Sequence, residues 1–266
     1  MTRAGAAIVV LATLAALVGP ALSPFDPAAQ DLPLRLAGPS GQHWLGLDEL
    51  GRDILARLLA GARISLLVGV VVVGVSASVG TLVGAVAGYF GGRIDEAISR
   101  LIDILLAFPG LLLAIALVAV LGPSLTNVVL ALASIGWVGY ARLVRGQALR
   151  AREFEFVQAA RALGATTPRI LLRHVIPTAL PAVSVQATLG MGGAILAEAS
   201  LSFLGLGVQP PTPSWGTMLS YGRAHLIDAP HLTIFPGLAI AVVVLGFNFL
   251  GDGLRDRLDP ATHRRD

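Results

Sequence analysis

The sequence predicts an all-α, polytopic membrane protein with six transmembrane helices. Three observations carry that expectation: composition, the length of the apolar runs and the placement of arginine. Of the 266 residues, 55% are hydrophobic and 13% charged, with a mean hydropathy of +0.78, whereas a soluble domain carries roughly 25% charged residues. A helix needs about 20 mostly apolar residues to cross the hydrocarbon layer. Runs of that kind fall at 4–22, 64–90, 98–121, 125–143, 178–200 and 231–250. They divide the chain into an N-terminal helix and loop (1–62), a transmembrane core (63–254) that contains a polar loop at 151–177, and a C-terminal tail (255–266).

The first span begins with Arg3 and ends in GPALS, a pattern that also describes a cleaved secretory signal. The run has no clean A-x-A site, and its loss would leave five spans, so a retained helix is expected. The loop after it carries Asp48, Arg52 and Asp53, either as part of an outer mouth or as a solvated face that pins the second span. Within that span Ser76, Gly80, Gly84 and Gly88 recur every fourth residue and form a smooth ridge on which another helix can pack closely in lipid. Pro109 interrupts the third span and Pro236 lies near the start of the sixth, each removing a backbone donor and able to kink its helix.

Acidic side chains inside a span normally face protein or water. Asp103, one turn after Arg100, is expected to pair with it locally. Glu198, near the end of the fifth span, lines a pathway or reaches the interface; the sequence favours neither. The segment at 201–230 contains GVQPPTPSWG, whose prolines preset extended or turn geometry, with Trp215 and Tyr221 suited to a membrane interface. It reads as an outer mouth, with Glu198, Ser202 and Trp215 as its candidate residues, or as a plain cap.

Six spans place both ends of the chain on one side. Arg3, Arg93, Arg100, the arginines from Arg142 to Arg173, and Arg255, Arg257, Arg264 and Arg265 share that side, while Arg35, Arg52, Arg57, Arg63 and Arg223 lie on the other. By the positive-inside rule the richer side, with both termini, is cytoplasmic. The first outer loop is a local exception, since it holds four of the five opposing arginines.

Several chemistries are excluded. All 19 basic side chains are arginine, so neither a lysine-bearing phosphate loop nor a Schiff base can form. There is no cysteine, hence no disulfide and no thiolate. The histidines at 43, 174, 225, 231 and 263 lack metal-ligand spacing. A hydrolase pair of His225 or His231 with Ser200 or Ser202 lacks the strained glycine-flanked nucleophile turn. No catalytic residue, bound cofactor, metal or nucleic-acid partner is expected.

The loop from Ala151 to Pro177 reads as two short helices. Phe154, Val157, Ala160 and Leu163 repeat at helical spacing, Gly164 supplies a left-handed terminator, and Thr167-Pro168 offers an N-cap and first-turn proline. The second helix is expected to run from Pro168 to Val175 and stop at Pro177. Between Arg142 and Arg173 stand seven arginines against two glutamates, enough to attract anionic lipid headgroups. Charge does not explain the small patch of Ala159, Ala160 and Ala162 beside the glycine. That patch would let a partner protein approach the backbone in a helix-in-groove contact.

QAARALG at 158–164 followed by HVIP at 174–177 resembles the EAA signature of the inner-membrane subunits of bacterial ABC importers: E-A-A, three residues, G, nine residues, I-x-L-P. The spacing matches throughout; Gln158, His174 and Ile176 depart in identity. HWLGLDELGRDILARLLAGARISL (43–66), EASLSFLGLGVQPPTPSWGTML (198–219) and GDGLRDRLDP (251–260) are similar to the second permease subunit of the dipeptide, oligopeptide and nickel branch. The resemblance covers nearly the whole chain.

It implies the transmembrane domain of a type I ABC importer, in the bacterial plasma membrane, with loop 151–177 docking into a separate ATPase. Coupling would fall to Glu155, Gln158, Ala159, Ala160, Arg161, Gly164, Ala165 and Pro177. Implied partners are a homologous permease subunit, two ATPase subunits or domains carrying ATP and magnesium, and an extracytoplasmic solute-binding protein. The implied cargo is a dipeptide first, then longer peptides, then nickel or a peptide-like solute. A transporter driven by protons or sodium, the rival from another class, would need more intramembrane ionisable groups or paired broken helices.

Overall fold

A computed structural model describes residues 2–258, and among them the elements are helices, turns and one isolated bridge between Leu47 and Asp53. The helices are α1 (Thr2–Leu22), α2 (Ile54–Phe90), α3 (Gly92–Leu106), α4 (Gly110–Leu121), α5 (Leu125–Ala151), α6 (Glu155–Ala162), α7 (Thr167–Ile170), α8 (Ile176–Phe203), α9 (Trp215–Gly222) and α10 (His231–Leu258). Residues 259–266, with Arg264, Arg265, His263 and the end of the GDGLRDRLDP stretch, lie outside the described residues.

Among the described residues, five helical segments are long and apolar enough to cross a membrane: α1, α2, α5, the rod Thr167–Phe203 and α10. The expected third span is not one rod. It breaks at Phe108–Pro109 into α3 and α4, bent by 84°. Pro109 has no amide hydrogen to continue the helix and becomes the residue before α4. Upstream of the break, α3 is amphipathic and polar along one side, while α4 is wholly apolar.

The helices outrun the apolar ruler. α2 begins ten residues before 64 because Asp53 caps it, accepting from the Ala56 amide at 2.7 Å, and α5 and α10 continue past 143 and 250 into arginine-bearing turns. Apolar length measures only the stretch in hydrocarbon. The helix expected to stop at Pro177 does not stop. A π-turn at Leu171–Val175 carries α7 into α8 as one rod, with the Ile176 amide donating to the Leu171 carbonyl. The wider turn admits Pro177 without breaking the axis. α10 likewise runs through Pro236.

The α2 ridge faces α5. A methyl group on Gly80 would lie 2.5 Å from the Trp137 carbonyl oxygen, one on Gly88 2.5 Å from that of Arg145, and one on Gly84 would strike the Ala141 carbonyl. Backbones this close gain dispersion contacts along their length, which is how helices associate where lipid removes the hydrophobic incentive. Glycine serves the α1–α10 seam too, where a Cβ on Gly5 would come within 2.6 Å of the Leu250 amide. The core lies between α2, α5, α8 and α10, around Val68, Val128, Ile195 and Phe247.

Two ion pairs hold α3 against α5. Arg145 grips Asp95 with both Nε and Nη2, the latter at 2.7 Å, and Arg142 Nη2 donates to Asp103 at 2.7 Å. The expected Arg100–Asp103 pair is therefore absent. Arg100 reaches back one turn to Glu96 at 2.6 Å instead. Helical neighbours at i and i+3 compete with any partner the tertiary fold brings nearer.

The charged group where the loop between α1 and α2 meets α2 is not a solvated face, although most of that loop is exposed. Asp48, Arg52, Asp53 and Arg57 are 8%, 4%, 5% and 2% exposed. Arg52 Nε donates to Asp48 Oδ2 at 2.7 Å, Arg57 Nε approaches the same oxygen at 3.3 Å, and Arg57 Nη1 donates to the Pro27 carbonyl at 3.0 Å. Nearby, burial and the neighbouring Asp48 push the Glu49 carboxyl above the usual carboxylate range.

Candidate functional site

Two of the sequence-predicted site groups occupy opposite ends of the bundle. At the arginine-rich end α6 stands on a short apolar mount formed by Tyr89, Ala148, Ala151, Ile170 and Val175, into which it inserts a single fully buried side chain, Val157. Of Phe154, Val157, Ala160 and Leu163, read as repeating at helical spacing, Val157 and Ala160 fall within α6, Val157 fully buried and Ala160 half-buried. Phe154 precedes the helix as its N-terminal flank, and Leu163 follows it, 88% exposed.

Glu155, Gln158, Ala159, Arg161 and Gly164 are exposed, and Ala160 and Ala165 are half-buried. The end of α6 is a complete Schellman turn. Gly164 sits at φ +81°, its amide donates to Arg161 O at 3.0 Å, and the Ala165 amide donates to Ala160 O at 3.0 Å. The Arg161 guanidinium lies 5.3 Å from the Tyr89 ring centre, a cation–π contact that steadies the helix on α2. Gln158 Nε2 donates to the Glu153 carbonyl at 3.2 Å, which fixes the entry to α6. Pro177 is exposed on the rod beyond the hairpin and is not in it.

At the far end the structure brings Glu198, Ser202 and Trp215 together, inside the protein. Glu198 is 0% exposed, and its carboxylate accepts from Ser65 Oγ at 3.1 Å and Ser202 Oγ at 2.7 Å. Trp215, 3% exposed, donates from Nε1 to the Leu58 carbonyl at 3.0 Å. Neither the pathway nor the interface expected for Glu198 is where its side chain lies, and the indole of Trp215 is not at a membrane surface. The cluster pins α8, α9 and α2 to one another. Its cause is local: Ser214 and Thr217 form a capping box that starts α9, and the chain leaves α8 through a second Schellman turn at Gly205, φ +81°. Sequence reasoning missed Ser65 and Leu58, because partners in α2 stand more than a hundred residues away.

The geometry is that of a polytopic helical bundle with a short, largely exposed helix mounted at one end on the tips of its long apolar helices. Comparison with known proteins gives the family. Residues 80–264 match the model of the binding-protein-dependent transport system inner membrane component, and residues 1–39 match the N-terminal transmembrane domain of oligopeptide transport permease C. The chain belongs to the binding-protein-dependent inner-membrane component family.

Among relatives, it is 49% identical to the dipeptide transport system permease protein DppC of Alkalihalophilus pseudofirmus, over 96% of this chain and 84% of that one. It is 49% identical to the glutathione transport system permease protein GsiD of Escherichia coli O157:H7, over 98% and 86%. It is 45% identical to the probable D,D-dipeptide transport system permease protein DdpC of Escherichia coli K12, over 98% and 87%. Among solved structures, an inward-facing MetNI methionine ABC transporter aligns with a TM-score of 0.60 at 19% identity, covering 76% of this chain and 96% of that chain. That likeness concerns the fold.

Proposed function

We propose that this chain forms one half of the membrane passage of an ATP-driven importer of dipeptides, and that it performs no bond chemistry. Its partners in this reading are a homologous permease subunit, two ATPase subunits or domains that hold ATP and magnesium, and an extracytoplasmic binding protein that presents the cargo. The chain lies in the plasma membrane of a bacterium with both termini in the cytoplasm, where the arginine-rich end faces anionic lipid.

The observation that carries the reading is α6, a helix with one buried anchor, Val157, and an exposed face that includes Glu155, Gln158 and Ala159, open to a groove on another protein. Movement of that groove, as the ATPases close, would be transmitted through the Val157 mount to α2, α5 and the rod Thr167–Phe203. The peptide class comes from the relatives, which are dipeptide, glutathione and D,D-dipeptide permeases. The test is uptake of labelled dipeptides by proteoliposomes holding this chain with its permease partner, ATPases and binding protein. Uptake should require ATP; uptake that persists without ATP but follows a proton or sodium gradient would contradict the proposal.

A further inference from the structure

A cavity of about 280 Å³ opens between α2, α4, α5 and α8. Ser76, Tyr140 and Gln186, which line it, each fall in the middle third of a spanning helix, so the cavity lies deep in the membrane. Its other walls are aliphatic or glycine, and none of its lining residues is an acid, an arginine or a histidine. Two hydroxyls there are poorly satisfied. Ser76 Oγ is buried with no hydrogen-bond partner, and Tyr140 Oη reaches only the Gln186 carbonyl, at 3.4 Å, beyond the usual O–H···O range of about 2.5–3.0 Å.

Glycine keeps the space open. A Cβ on Gly190 would lie 2.7 Å from Tyr140 Oη, and one on Gly136 would strike the Ser76 hydroxyl. Pockets that take a whole small molecule run to roughly 300–1,000 Å³, so this one holds part of a solute. A free ammonium or carboxylate would be uncompensated there. An uncharged side chain would not, and its hydroxyl or amide would find the weakly engaged Tyr140 hydroxyl.

We propose that this cavity is a subsite which admits one neutral side chain of the passing peptide, so that this subunit itself selects cargo inside the membrane. The proposal rests on the peptide reading above. The test is uptake by the assembled importer of diglycine, a phenylalanine-bearing dipeptide and a tyrosine-bearing dipeptide. Leu111→Trp, a change at a half-open wall, should depress the phenylalanine peptide about tenfold relative to diglycine, in the range that pocket occlusion commonly reaches. Tyr140→Phe should lower the tyrosine-to-phenylalanine uptake ratio several-fold. Peptide ratios that stay at the wild-type value in both variants, or uptake that falls in parallel for every peptide, would overturn the subsite. A wild-type complex that moves no peptide would instead overturn the cargo reading, and the subsite with it.

Discussion

Arg63 donates from Nε to the Ala16 carbonyl at 2.6 Å, the carbonyl that Pro20, four residues on, leaves without an amide. Its Nη2 reaches the Leu17 carbonyl at 2.6 Å as well. A backbone acceptor left bare in a lipid-facing helix is costly, and one arginine from α2 satisfies it while fastening α1. Three of the arginines that run against the positive-inside count are engaged within the protein: Arg52 and Arg57 are tied to Asp48, and Arg63 to α1. Arg63→Ala should lower stability by about 1–3 kcal/mol, read as an earlier thermal transition in detergent, with Arg63→Lys intermediate.

The α2 ridge makes a sharper contrast. Gly84→Leu should prevent α2 and α5 from closing, because the Ala141 backbone occupies the space that the side chain needs. Gly74, on the same helix with open space around its Cβ position, should accept leucine with little change. The yield of monodisperse protein after membrane extraction separates the two.

Glu198 should behave as a structural acceptor. Glu198→Ala strands the Ser65 and Ser202 hydroxyls in a dry interior and should cost about 1–3 kcal/mol, whereas Glu198→Gln keeps one acceptor and should cost less. Thermal unfolding of the two variants in one detergent checks the order; equal stability to wild type for Glu198→Ala would remove the clamp role.

Gly164→Val places a β-branched side chain at φ +81°, where L-residues are strained. The Schellman turn should open and α6 should lose its fixed angle. Peptide uptake by the assembled complex should vanish while the chain still reaches the membrane in normal amount. Unchanged uptake would deny the turn a coupling role.

The spans, the glycine ridge and the Gly164 turn were legible because each depends on a local pattern: apolar length, a four-residue repeat, one residue suited to positive φ. What escaped depends on partners distant in sequence. Asp103 chose Arg142 over the nearer Arg100, and Glu198 and Trp215 turned inward toward Ser65 and Leu58 of α2. A buried carboxylate and an exposed one have the same sequence neighbours. The continuous rod through Pro177 was hidden for another reason, since a π-turn has no composition of its own and only proline's missing donor hints at it.

The central claim is that force enters through α6 from the cytoplasm. The chain has no cysteine, so Leu163→Cys places a single thiol at a side chain 88% exposed at the end of α6. In sealed inner-membrane vesicles of the assembled complex, a thiol-to-amine cross-linker should join that residue to surface lysines of an ATPase subunit, giving a product of their combined mass that disappears when the ATPase is omitted. No such product, together with labelling of Cys at position 163 by an impermeant reagent applied only from the extracytoplasmic side, would contradict the account.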